Sequence, residues 1–318
     1  MYVTMDNATA KATTPWRTLV GFCPGGVEGS DECPKKFDSI ALHHILAAVA
    51  AAFECLEANL RQSFRVLAQG RARALVTELE GVSIASLGVT FQMFNAAFLN
   101  SPVETQQALE ARIATAQDVF ETRQMAWSYW ICEDWLAGAA RRSLVRTCER
   151  FGLRAVAEMP GMAADSIREP GRFSAARRGT AELEIRRADA GPAMTDFRGI
   201  GAVCFHVPPA WFNEVFDDAM PSRPFTCWVG YRNGRPVATA ATVVSHGVVG
   251  LYNVATLPDE RGKGYAEAIT RHSIEAASRE SGLRRVILQS TALGERLYRR
   301  LGFRDVSRLV VFNSTTGV

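Results

Sequence analysis

The stretch best suited to chemistry runs from Tyr252 to Ile269: a β-prone segment, a short loop holding Gly262 and Gly264, then a helical segment. Where a chain turns sharply from strand to helix, glycine allows backbone angles and close approaches that a Cβ forbids. The amides of residues 262–266 are donors that the new helix cannot satisfy internally, and they converge with the positive end of its dipole. Arg261 and Lys263 add positive charge at the same place. The combination suits an anion, and a pyrophosphate fits it. The GxxxxGKS/T phosphate loop and the GxGxxG dinucleotide fingerprint are both absent.

Other reactive side chains are scattered. Seven cysteines, at 23, 33, 55, 132, 148, 204 and 227, form no CxxC pair, a pattern of free thiols in a reducing compartment. Cys23 and Cys33 flank a Gly-rich stretch and suit a loop clip, half of a metal site, or simply two thiols of a mobile segment. Cys204 and Cys227 have no recognisable activating partner, so packing is their default reading. No metal site is expected. Glu133 and Asp134 follow an aromatic strand, where they suit either an amine contact or a solvated strand end.

The elements that must position these residues follow from periodicity. Residues 1–37, rich in Gly, Pro, Thr and charge, read as a loosely ordered arm. A helical region spans 38–67, followed by strands over 74–80 and 82–89 and a helix over 103–123, in which Leu109, Ile113, Ala116 and Phe120 share a face. Trp127–Cys132 reads as a central strand, 139–151 as a helix closed by Gly152, and Leu153 starts another strand. Residues 161–181 read as a linker. In the second half we expect a strand at 183–187, helices over 192–204 and 208–219, and strands over 225–232, 236–245 and 248–256. Asn233-Gly234 and His246-Gly247 mark the turns between those three strands. A helix (264–281), a strand (285–289), a helix (293–301) and a last strand (303–312) complete the pattern.

The two halves share a grammar. Arg150-Phe151-Gly152-Leu153-Arg154-Ala155-Val156 and Arg300-Leu301-Gly302-Phe303-Arg304-Asp305-Val306 stand 150 positions apart, each after a strand and a helix. That order favours a tandem duplication over a chance match.

Arg261-Gly262-Lys263-Gly264-Tyr265-Ala266 resembles the Arg/Gln-x-x-Gly-x-Gly/Ala motif of the GNAT (GCN5-related N-acetyltransferase) superfamily, after the fourth strand and at the start of the next helix. Ala292 to Phe303, with Leu297-Tyr298 and Gly302-Phe303, is similar to the family's later Leu-Tyr-x-x-x-Gly-Phe segment. The resemblance covers about residues 182–312. It implies a mixed α/β sheet flanked by helices, with two GNAT-like halves in tandem: a catalytic one over 182–318 and a degenerate one over 38–160. It also implies acyl transfer from coenzyme A, most simply acetyl-CoA, to a primary amine of a small molecule in a ternary complex.

The resemblance assigns roles by position. The strand 253–257 splays from its neighbour to receive the pantetheine arm, with Val254 polarising the thioester carbonyl and Thr256 alongside. Gly262, Lys263, Gly264, Tyr265 and Ala266 hold the pyrophosphate. Tyr298 protonates the departing thiolate, although its place beside Leu293, Leu297 and Leu301 also suits packing. Thr291 stands where many relatives carry asparagine, which puts that cofactor contact in question. Tyr252, Asn253, His246, His206 and Phe205 are candidates for the acceptor side. Met162 and Asp165 are further candidates, on a segment expected to cross the cleft between the halves.

The first half differs. Its region 100–123 contains no glycine and opens with Glu104 near the helix start, which suits an ordinary helix and disfavours a pyrophosphate. We expect no coenzyme A there. Two alternatives stay open: another donor, either a longer acyl-CoA or an aminoacyl-tRNA, and a non-catalytic acyl-CoA-binding module. The formal charge of +3 does not single out nucleic acid as a partner. No signal-peptide pattern or membrane-length apolar run is seen, so a cytoplasmic protein is expected. The sequence does not fix the oligomeric state.

Overall fold

Short β-prone runs punctuated by glycine turns assemble into one mixed sheet. The computed structural model describes residues 39–170, 183–217 and 225–315, with side chains described from Ala52 onward. The chain divides into a unit of 43–318 and a unit of 1–42, of which only 39–42 are described. The expected arm, with Cys23 and Cys33, and residues 171–181 of the expected linker lie outside the described residues.

The helices are α1 (Ser39–Ala68), α2 (Gln106–Thr122), α3 (Gly138–Arg150), α4 (Gly191–Cys204), α5 (Pro209–Val215), α6 (Tyr265–Ser281) and α7 (Ala292–Leu301). The strands of the first half are β1 (Leu75–Leu79), β2 (Val82–Ser86), β3 (Asn95–Leu99), β4 (Ser128–Cys132) and β5 (Leu153–Ala164). Those of the second are β6 (Glu184–Arg187), β7 (Phe225–Arg232), β8 (Arg235–Ser245), β9 (Val248–Thr256), β10 (Val286–Gln289) and β11 (Arg304–Ser314). Asn233-Gly234 and His246-Gly247 both have positive φ at each residue, the geometry of two-residue type I′ hairpin turns.

The sheet order is β1-β2-β3-β4-β11-β5-β10-β9-β8-β7-β6. In the first half β3 runs parallel to β4, and in the second β9 runs parallel to β10. Each half's final strand is then handed to the other: β11 pairs antiparallel with β4, and β5 pairs antiparallel with β10. The two exchanged strands also pair with each other, from Arg304↔Ala163 to Ser314↔Leu153. The pairing pattern therefore has a pseudo-twofold between β5 and β11.

Two differences from the expected elements have clear causes. β3 is buried at every position, so it lacks the polar alternation that marks a half-exposed strand. β5 continues to Ala164, past the expected start of the linker at 161, because Gly161–Ala164 are paired to β10 and Ala163 also to β11.

Helix α1 buries Leu56, Leu60, Phe64 and Leu67, spaced four, four and three apart, in a core shared with residues of α4 and α5. Each such side chain contributes about 1.5–3 kcal/mol on burial. A second cluster lies under α2 and α3, and a third under α6 and α7. Among the described residues no helix is long and apolar enough to cross a membrane.

Candidate functional site

Strand β9 is held on both sides at its start and released at its end. Its pairing with β10 runs from Val249↔Val286 to Leu251↔Leu288 and stops. β10 turns instead toward β5, with Gln289 opposite Gly161 and the Ser290 N–H donating to the Pro160 carbonyl at 3.0 Å. Tyr252–Thr256 thus splay from β10 and leave a wedge. On the other side the register with β8 slips between Thr239 and Ala241, setting Asn253 and Val254 against one residue. This β-bulge re-aims the strand, and Asn253 takes a left-handed φ of 49°. The Thr239 hydroxyl locks it by donating to the Asn253 carbonyl at 2.9 Å.

At the mouth of the wedge the chain passes a 3-10 turn (Pro258–Glu260), then Gly262 and Gly264 at φ 78° and 90°. Helix α6 has Gly264 as its N-cap, with no side-chain cap bond. A helix start with no side-chain cap is the kind that suits an anion. The corresponding helix of the first half is closed differently: the Thr105 hydroxyl caps α2 by accepting the Ala108 N–H at 3.1 Å.

The charges around the loop are more committed than the sequence suggests. Buried Glu260 accepts the Lys263 ammonium at 2.7 Å and faces Arg235 at 3.3 Å and Arg232 at 3.7 Å. The Lys263 charge is thus spent in large part on Glu260. Arg261 Nε donates to the Thr256 carbonyl at 3.2 Å.

Tyr298 is buried on α7, edge-on to Phe303 at 5.7 Å between ring centroids. Burial pushes its phenol well above the ordinary value, so it stays protonated at neutral pH. A Cβ at Gly294 would come within 2.9 Å of the Tyr298 ring, so the glycine makes room for it. Thr291 is the N-cap of α7, and its side chain makes no cap bond. Two buried polar atoms of the site have no protein partner: Thr256 Oγ1 and Gln289 Nε2. Both residues line the cavity, within reach of an occupant.

A cavity of about 720 Å³ joins these parts. Of the sequence-derived candidates, Tyr252, Asn253, Val254, Thr256, Arg261, Gly262, Gly264, Tyr265, Ala266, Thr291, Tyr298 and Phe205 line it. The remainder are placed elsewhere. His206 is exposed and left-handed, and its neighbours Phe205 and Val207 line the wall instead. His246 sits exposed in the β8–β9 hairpin turn, 3.2 Å from the Ser245 hydroxyl, at the opposite end of β9 from the bulge. Glu133 pairs with Arg141 at 2.9 Å and Arg308 at 3.5 Å, and Asp134 accepts from Ser307 at 2.6 Å. Met162 is fully buried in the core, and Asp165 bridges Arg285 and Arg304. Strand β5 does reach the cavity, through Ala157 and Met159.

The sequence reading expects the first half to complete the pocket but names none of the residues that do so: Leu60, Ser63, Phe64 and Leu67 of α1, Phe91, Met93 and Phe94 before β3, and Trp130 of β4. The one available signal was the aromatic pair Phe91 and Phe94 in a segment with no assigned element.

A family model of the acetyltransferase (GNAT) domain matches residues 223–305. A solved structure of a GCN5-related N-acetyltransferase from Kribbella flavida is 17% identical over 83% of this chain and 96% of its own, with a TM-score of 0.58. A functionally unknown conserved protein from Staphylococcus epidermidis ATCC 12228 is 12% identical over 76% of this chain and 94% of its own, with a TM-score of 0.55. At these identities the likeness is one of fold. No curated protein matches the sequence.

Proposed function

We propose that this chain, whose residues 223–305 form a GNAT acetyltransferase domain, moves an acyl group from coenzyme A to a primary amine of a small molecule, acetyl being the simplest donor. The observation that carries this reading is the wedge between β9 and β10 opening onto the uncapped start of α6.

The residues present fit the coenzyme. The left-handed Gly262 and Gly264 make a cradle of backbone amides for the pyrophosphate, with no side chain projecting from either residue. Thr256 Oγ1 and Gln289 Nε2, both unpartnered, face an arm that carries amides. When bound, acyl-CoA supplies an activated thioester: the amine nitrogen bonds to the carbonyl carbon, the C–S bond breaks, the amine proton leaves to water and the thiolate takes a proton. Val254 lies in the bulge, and with acyl-CoA bound its backbone amide would stabilise the negative charge that develops on the carbonyl oxygen. Tyr298, held protonated by burial, supplies the proton to sulfur.

Direct attack is favoured over a covalent enzyme intermediate. Cys204 is the one thiol lining the cavity among the described residues. Burial raises its pKa against the smaller pull of Arg261, so it stays a weakly nucleophilic thiol. The capped, glycine-free start of α2 supports one coenzyme site per chain. The test is thiol release from acetyl-CoA across a panel of amines. Release that depends on amine supports the reading; bound acetyl-CoA with no release by any amine contradicts it.

A further inference from the structure

The acceptor end of the cavity is built differently from the donor end. Its wall carries Phe64, Phe91, Phe94 and Trp130 from the first half and Phe205 and Phe212 from the second. The rings support one another: Phe64 lies 5.5 Å from Phe94 and 5.3 Å from Trp130, Phe91 lies 5.3 Å from Phe94, and Phe205 stacks on Phe212 at 6.2 Å. Such preset rings present faces and edges for another ring without reorganising.

Three of the polar groups bordering this chamber are already paired within the protein. Trp130 Nε1 donates to Ser128 Oγ at 3.0 Å, the Ser63 hydroxyl donates to the Leu60 carbonyl at 2.7 Å, and the Tyr252 hydroxyl donates to Asn59 at 2.7 Å. The charged lining residues are Glu260, Arg261, Glu267, Arg296 and Arg300. All of them belong to the phosphate loop, α6 or α7. Among the described residues, the chamber side offers neither a carboxylate for an ammonium nor a cation for a carboxylate. An ion entering there would lose its hydration with nothing in exchange.

We propose, resting on the acyl-transfer reading above, that the acceptor is an aromatic or similarly apolar molecule presenting one uncharged amine. Amino acids, polyamines and aminoglycoside-like polycations are selected against. The step is the one already written, with the amine entering as the neutral nucleophile. This accounts for the absence of any histidine or carboxylate on the chamber side among the described residues: a neutral amine needs no base before attack.

The experiment measures thiol release by the full chain with acetyl-CoA and four acceptors: two arylamines that are neutral at pH 7, p-anisidine and 4-ethylaniline, and two polycations, spermidine and kanamycin. Calorimetric titration with acetyl-CoA, phenylacetyl-CoA and decanoyl-CoA accompanies it. The expected result is kcat/KM for the aromatic amines at least about 100-fold above the polycations. Phe91→Asp should raise KM for p-anisidine at least about tenfold with acetyl-CoA affinity unchanged, and Phe91→Leu, which keeps the wall apolar, should raise it less. Faster turnover of spermidine or kanamycin overturns the acceptor inference and leaves acyl transfer intact. Turnover of none, with decanoyl- or phenylacetyl-CoA bound at least about tenfold tighter than acetyl-CoA, makes the chamber an acyl pocket and also overturns it. Failure to bind any acyl-CoA removes the underlying function as well.

Discussion

The hydroxyl of Tyr252 donates to the side-chain oxygen of Asn59 at 2.7 Å, joining β9 to α1 across 193 residues of sequence. Asn59 Nδ2 donates in turn to the Val243 carbonyl at 3.1 Å and to Ser245 Oγ at 2.8 Å. One fully buried amide therefore ties a first-half helix to both β8 and β9. Gly250 makes the room for it, since a Cβ there would fall 2.0 Å from the Asn59 oxygen. Asn59→Ala leaves these partners unsatisfied and should cost about 2–4 kcal/mol, read by chemical denaturation. A loss below about 0.5 kcal/mol, the scale of a neutral surface change, would show that the clamp carries no stability.

Tyr298→Phe removes one oxygen from a buried ring and should leave acetyl-CoA affinity unchanged. It should lower kcat by about 10²–10³, the range of a lost general acid. The pH dependence has a defined sign. The acid must be protonated to act, and burial raises its pKa above that of an ordinary phenol, so deprotonation of Tyr298 cannot depress kcat below about pH 10. Any alkaline decline below that pH should persist in Tyr298→Phe. A limb near pH 8–9 that vanishes in the variant would contradict the assignment.

Thr256 separates ligand binding from stability. Its hydroxyl is buried without a partner, so Thr256→Val should leave the apo-protein's melting temperature unchanged or raised. Acetyl-CoA affinity should fall roughly three- to tenfold, the worth of one hydrogen bond. Equal affinity in both forms would mean that the hydroxyl never meets the coenzyme.

The strand exchange makes the halves interdependent. A chain cut between residues 175 and 176 should yield fragments that do not fold alone, because β11 lies between β4 and β5, while β5 also pairs with β10. Co-expressed fragments should purify as one complex by size exclusion and regain coenzyme binding. A monomeric, coenzyme-binding fragment of 176–318 would show that the exchange is dispensable.

The glycine turn of the proposed donor site was legible because it is local: Gly262, Gly264 and the helix that follows are neighbours in sequence, and turn geometry demands those residue types. Tyr298 was reached through its motif for the same reason. The acceptor wall was not legible, because Phe64, Phe94 and Trp130 come from separate elements that meet only once the sheet is ordered. Nor could alternation of side chains reveal that β5 and β11 change places. His206 and His246 drew attention as titratable groups, but both sit exposed at left-handed turn positions and neither lines the cavity. The commitment of Lys263 to Glu260 was close in sequence, three residues apart, and could have been read from the loop itself.

The most direct test of the central claim is a calorimetric titration of the full chain with acetyl-CoA, repeated on Gly264→Glu. Gly264 is left-handed at the start of α6, so the substitution strains the turn and puts a carboxylate at the proposed pyrophosphate site. The account predicts one site per chain in the parent and at least about a 100-fold loss of affinity in the variant. Two sites in the parent, or binding that survives the substitution, would contradict it.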